Sequence, residues 1–146
     1  MLGRKDYTPE ELEHARSAVD QQLAVYRKLA DAIDSTPPTP ELRSALEALE
    51  PLYFNNMAIV LDRYFVHRVR MVTGKDGNPL NEVELISDSL INHDGVLRGN
   101  NVIKLIPDQT VAKLEIGDRI RLSAAQFERL AHAFLAEIDA KFVRGA

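Results

Sequence analysis

One stretch limits what this chain can become. Residues 51–72, PLYFNNMAIVLDRYFVHRVRMV, are apolar at most positions and read as a single long helix. A helix that is apolar around most of its circumference has to be covered on several sides by the rest of the protein. The run nonetheless carries Asn56, Arg63, His67 and Arg70. At ~100° per residue these four fall within a wedge of roughly 60° on the helical wheel. Such a polar seam on an otherwise buried helix is either a route to solvent or a site.

The other helices are read from their caps. Thr8-Pro9-Glu10-Glu11 places a capping threonine, a proline at the first helical position and a glutamate at the capping-box position. The helix it opens runs to about Ile33, with Leu12, Val19, Tyr26 and Ile33 recurring every seven residues as a bundle stripe. Ser35-Thr36-Pro37-Pro38 breaks the chain, and Thr39-Pro40-Glu41 restarts it. Leu42, Ala45, Leu46 and Leu49 form a short amphipathic segment. Pro51 disfavours the helical region at Glu50, so residues 40–72 are one kinked helix or a short helix abutting a long one; the second is the expectation. Gly74 stops the central helix, and Asn78-Pro79 opens another carrying Leu80, Val83, Ile86, Leu90 and Ile91. Ser123-Ala124-Ala125-Gln126 is a further capping box before a last helix with Phe127, Leu130, Phe134, Ile138 and Phe142 on one face.

Residues 96–122 change character. Gly99-Asn100-Asn101 is a turn signal, Val102 to Ile106 alternates around Lys104, and Arg119 to Leu122 alternates after Gly117-Asp118. Two or three short strands are expected there, in a small antiparallel element lying on the helices. The fold class is therefore mainly α: one domain, residues 1–146, an antiparallel helical bundle around helix 51–72 with a small β-element at about 102–122.

The 146 residues can bury a core unaided. Eighteen basic side chains meet twenty-two acidic ones, a net charge of −4, which weighs against nucleic acid or an anionic membrane as the main partner. No apolar run reaches the ~20 residues of a membrane span, and the N-terminus lacks the apolar region of a signal peptide. There is no cysteine, which removes disulfides, thiolate metal sites and cysteine nucleophiles and fits a cytoplasmic setting.

Few residues carry recognisable chemistry. Arg63 and His67 are one helical turn apart and Arg70 lies one turn further, so with Asn56 they offer planar forks and further donors to a phosphate or carboxylate. The alternative is that acids on neighbouring helices pair with the arginines. Asn55 and Asn56 are poor helix formers in mid-helix, and where buried they require partners from other helices or loop backbone. His14, His67, His93 and His132 show no metal-ligand spacing, so no metal or cofactor is expected. Lys75-Asp76-Gly77-Asn78 lacks the alternating acids of a calcium loop. The glycines form no phosphate-binding loop, and the serines no nucleophile elbow, so no catalytic residue is assigned.

The strings LDRYFVHR (Leu61 to Arg68), KDGNPLNEV (Lys75 to Val83) and IGDRIRLS (Ile116 to Ser123) together resemble a family of small, uncharacterised actinobacterial proteins, over about residues 50–142. The resemblance implies a bacterial cytosolic setting and names no activity. The leading expectation is a non-enzymatic module that binds a protein partner or itself, because surplus apolar helix surface is often buried by dimerising. The alternative is a protein or enzyme that binds a small acidic ligand through Asn56, Arg63, His67 and Arg70.

Overall fold

The computed structural model describes residues 3–35, 37 and 39–143. Met1, Leu2, and Thr36 and Pro38 of the expected break, lie outside the described residues. Five α-helices follow in order: α1 (Pro9–Ser35), α2 (Pro40–Tyr64), α3 (Arg70–Thr73, a single turn), α4 (Pro79–Asn92) and α5 (Ala124–Phe142). None of the described helices is long and apolar enough to cross a membrane.

The caps form as expected. Thr8 Oγ1 accepts from the Glu11 amide while Glu11 Oε1 accepts from the Thr8 amide, closing a capping box at α1. Thr39, Asn78 and Ser123 cap α2, α4 and α5 through their side-chain oxygens, each just before a first helical turn that begins with proline or alanine. α2 packs against α1, α4 and α5, and α5 packs in turn on α1 and α4. The buried residues form one cluster drawn from all the longer helices. It includes all five phenylalanines, Phe54, Phe65, Phe127, Phe134 and Phe142, each removed completely from solvent. Truncating one such ring to alanine would cost about 3–5 kcal/mol.

The central helix has different ends from those expected. It starts at Pro40 and continues through Pro51 without a break. A proline inside a helix leaves the carbonyl four residues earlier, here Glu47, without its donor. Glu47 and Ala48 are exposed, so solvent can reach that carbonyl. At the other end α2 stops at Tyr64, eight residues short of the expected Val72. There the N-terminal arm takes over the backbone: the Arg4 amide donates to the His67 carbonyl at 2.6 Å, and the Val69 amide donates to the Arg4 carbonyl at 3.1 Å. Gly3 allows this approach, because a Cβ there would lie 2.9 Å from Val69 Cβ. Inside, Tyr7 donates its hydroxyl proton to the Val66 carbonyl at 2.7 Å.

The expected β-element does not form. Among the described residues bridges occur only singly, as at Val96–Arg119, and residues 107–109 make a 3₁₀ turn. Backbone pairs join residues 95–97 to 117–120 and Lys104 to Lys75, but they do not extend into a ladder, and side chains take many of the other backbone groups. Asn55 on α2 donates from Nδ2 to the Ile120 carbonyl at 2.9 Å and accepts at Oδ1 from the Leu122 amide at 3.1 Å. Its amide thus copies the donor–acceptor pair of a β-ladder. Glu50 accepts from the Ala124 amide, Ser89 Oγ from the Arg98 amide, and Asn100 Oδ1 from the amides of Val102 and Ile103. Glu82 on α4 accepts from the amides of Val111 and Ala112, both at 2.9 Å.

Candidate functional site

The four residues of the expected seam do not share a helix. Asn56 and Arg63 remain on α2 and are exposed. His67 sits in the turn after it, exposed and in the left-handed region at φ 63°. Such a backbone costs a non-glycine residue about 1 kcal/mol or more and persists only where its surroundings hold it. The arm does so from both sides, with the Tyr7 hydroxyl donating to the Val66 carbonyl before it and the Arg4 amide donating to the carbonyl of His67 itself. Arg70 opens α3, and its partners show that it serves structure. Its Nη2 donates to both carboxylate oxygens of Glu84 at 3.0 and 2.8 Å, and its Nη1 to Asn81 Oδ1 at 2.8 Å and the Gly74 carbonyl at 3.1 Å. Asn81, fully buried, also donates to the carbonyls of Thr73, Gly74 and Asp76. This network fixes the turn between α3 and α4.

Arg63 and His67 do meet in space. They line an open cavity of about 240 Å³ at the C-terminal end of α2, with Asp62, Phe65, Val66, Arg68 and Glu84. Asn56 and Arg70 are not among its lining residues. Both acids at the cavity already have partners: Glu84 pairs with Arg70, and Asp62 with Arg68 at 2.8 Å. Among the described residues, neither the Arg63 nor the His67 side chain has a hydrogen-bond or ion-pair partner, so the cavity keeps one free guanidinium and one free imidazole.

Arg68 is the residue at this end whose importance the sequence hid. Its side chain is only 6% exposed. Its Nη1 donates to the carbonyls of Asp62 and Phe65, which closes the end of α2, and its guanidinium lies over the Phe134 ring at 5.2 Å. A buried cation held this way is costly to leave unpaired, so Asp62 and Arg68 act as a unit. Their separation of six residues matches no helical face, because the helix ends between them.

Glu82 is a second concealed polar group, with the residue only 3% exposed. Burial pushes its carboxyl above the usual range, opposed by the two amides that donate to it and by Lys113. It sits among Ile86, Leu97, Leu105, Thr110 and Leu114 and anchors the 110–114 segment to α4. The signal was weak: Ile86 and Ser89 lie four and seven residues on, and both are buried.

The other histidines stand apart: His14 lies edge-on to Tyr64, His93 is 3.3 Å from Asp88, and His132 is 4.0 Å from Asp20. Among the described residues no group of three or more His, Cys, Asp or Glu could hold a metal ion.

Among the described residues, the outward face of α2 is left partly open to solvent. Between Pro40 and Leu52 the helix has no fully buried residue. Leu42, Leu49 and Leu52 are 42%, 38% and 65% exposed. With Ala45, Asn56, Ile59 and Arg63 they repeat alternately at three and four residues, the a and d positions of a heptad. The inward face carries Phe54, Met57, Ala58 and Leu61 into the core. The helix is therefore apolar on two sides, as its sequence implied, but the bundle covers only one.

Comparison with family models, with curated proteins and with solved structures finds nothing that matches this chain.

Proposed function

We propose that this protein is a self-associating, non-enzymatic module whose contact surface is the outward face of α2, occupied by a second copy of the chain. The observation that carries this reading is the heptad-spaced apolar strip Leu42, Ala45, Leu49, Leu52 and Ile59, five apolar positions on one face, four of them exposed. Apolar strips of this spacing are buried by packing helix against helix, with each side chain entering a hole on its neighbour. A cytoplasmic setting, expected of a chain without cysteine, belongs to the same reading.

The test is the mass in solution by sedimentation equilibrium. The expected mass at micromolar concentration is twice 16.4 kDa. Leu52→Glu should give a monomer with unchanged helical content, because Leu52 is largely outside the core. A wild-type protein that stays monomeric at all accessible concentrations would overturn the reading.

A second reading keeps part of the acidic-ligand expectation: a small anion held at the 240 Å³ cavity by the side chains of Arg63 and His67, which have no partners among the described residues. Arg70 and Asn56 drop out of it. A thermal-shift titration with inorganic phosphate, with Arg63→Gln beside the wild type, is its test. Stabilisation in the wild type alone supports it, and an equal response in both removes it.

A further inference from the structure

The face of α2 carries more than hydrophobicity. Its heptad positions read Leu42, Ala45, Leu49, Leu52, Asn56, Ile59 and Arg63 from the N-terminal to the C-terminal end. Two polar residues occupy the C-terminal half. A polar residue at such a position commonly fixes register and orientation at some cost in stability. Asn56 and Arg63 are exposed, their side chains without a hydrogen-bond partner among the described residues, and Glu41 at the opposite end of α2 is exposed and in no ion pair there. One end of the strip thus offers a free cation, and the other a free anion.

From this we infer that two copies associate with α2 against α2 in antiparallel fashion, about a two-fold axis between residues 50 and 51. The inference rests on the self-association reading above and specifies it. In this register Leu49 faces the partner's Leu52, Leu42 faces the partner's Ile59, and Ala45 faces the partner's Asn56, each contact occurring twice. The small Ala45 leaves room for the larger amide. Arg63 comes within one helical turn of the partner's Glu41, so the free charges at the two ends answer each other. Antiparallel alignment also sets the positive N-terminal end of each helix beside the negative C-terminal end of the other.

The competing arrangements are worse on the same residues. A parallel, in-register pair would put Arg63 directly against its own copy, where like charges repel. An antiparallel pair shifted by one heptad in one direction would set Ala45 against the partner's Arg63 and Leu52 against the partner's Asn56. Shifted in the other direction it would pair Leu42 with the partner's Leu52 but carry Asn56, Ile59 and Arg63 past the start of the partner's α2 at Pro40, leaving Ile59 uncovered. The favoured register therefore follows from where Asn56 and Arg63 stand.

Cysteine cross-linking of the full chain tests this, since the natural sequence has no thiol to interfere. Residues 42 and 59 are seventeen positions apart, about 25 Å along one helix, so they cannot bridge within a chain. In the inferred pair they face each other across the axis. Under mild oxidation, the double variant Leu42→Cys with Ile59→Cys should convert most of the protein to a covalent dimer, and each single variant should form little or none. Efficient cross-linking of either single variant would mean parallel pairing and would overturn the inference. A wild type that is dimeric by mass, with a double variant that stays uncross-linked though folded and dimeric, would remove the arrangement while leaving self-association standing. A monomeric wild type would remove both.

Discussion

Replacing Asn55 with alanine should loosen the segment that closes into α5, by an amount that the structure sets. The side chain makes two hydrogen bonds to backbone, one to the Ile120 carbonyl and one from the Leu122 amide, and both of those residues are buried. Removing the amide leaves a donor and an acceptor without partners. An unsatisfied buried group of this kind costs about 1–3 kcal/mol. Asn55, Ile120, Leu52 and Pro51 also line an open groove of about 320 Å³, through which water can enter and satisfy part of the loss. The net cost should therefore lie near the lower end for the pair, about 2 kcal/mol. In a domain of this length that lowers the midpoint of thermal unfolding by about 7 °C. Asn56→Ala provides the comparison, since Asn56, unlike Asn55, is exposed in the monomer and the change should stay within about 0.5 kcal/mol of monomer stability. Calorimetry gives the shift, and native-state hydrogen exchange should show lost protection at the Leu122 amide. If Asn55→Ala melts within about 1 °C of the wild type and that amide stays protected, the idea that a side chain replaces a strand here is wrong.

The two arginines of the expected seam should separate in urea unfolding: Arg70→Gln loses its bonds to Glu84 and Asn81 and should cost about 2 kcal/mol, whereas Arg63→Gln should leave the monomer's stability within about 0.5 kcal/mol. The Arg4 guanidinium, bonded at 2.8 and 2.9 Å, holds the Glu11 carboxyl at about 2. A depressed carboxyl stabilises the fold above its unfolded value of ~4.3, and that stability is lost as pH falls from there towards 2. Glu11→Gln should therefore flatten the acid limb of a stability–pH curve over that window, while changing stability at neutral pH by under ~1 kcal/mol, because both side chains are more than a third exposed. Gly3→Ala should force the arm away from Val69, seen as faster exchange of the Val69 amide and a destabilisation of about 1 kcal/mol.

What could be read in the sequence was what short-range patterns encode. The caps at Thr8, Thr39, Asn78 and Ser123 and the stripes at Leu12–Ile33 and Phe127–Phe142 are local, and each marks its helix. Where α2 ends was not local. Val66 to Arg70 continue a helical pattern on the wheel, but the Arg4 backbone, more than sixty residues away in the chain, competes for them. The strands expected at 102–122 failed for a related reason: alternation signals an extended chain, not what will bond to it, and beyond the short pairing of 95–97 with 117–120 the bonds come from side chains such as Asn55 and Glu82. The candidate site divided accordingly. Arg63 and His67 converge on one cavity, whereas Arg70 was claimed by Glu84, a residue that no spacing rule links to it.

Asn55 and Glu50 together give a cysteine-free chain something close to cross-links. They tie α2 to residues 120–124 across 65, 67 and 74 positions of sequence. A disulfide over such a span would act largely by restricting the unfolded chain. These ties exist only once the helix and the segment have met, so the unfolded chain keeps its full freedom. They can be remade after every unfolding event without an oxidant or an isomerase, so a reducing environment leaves them intact.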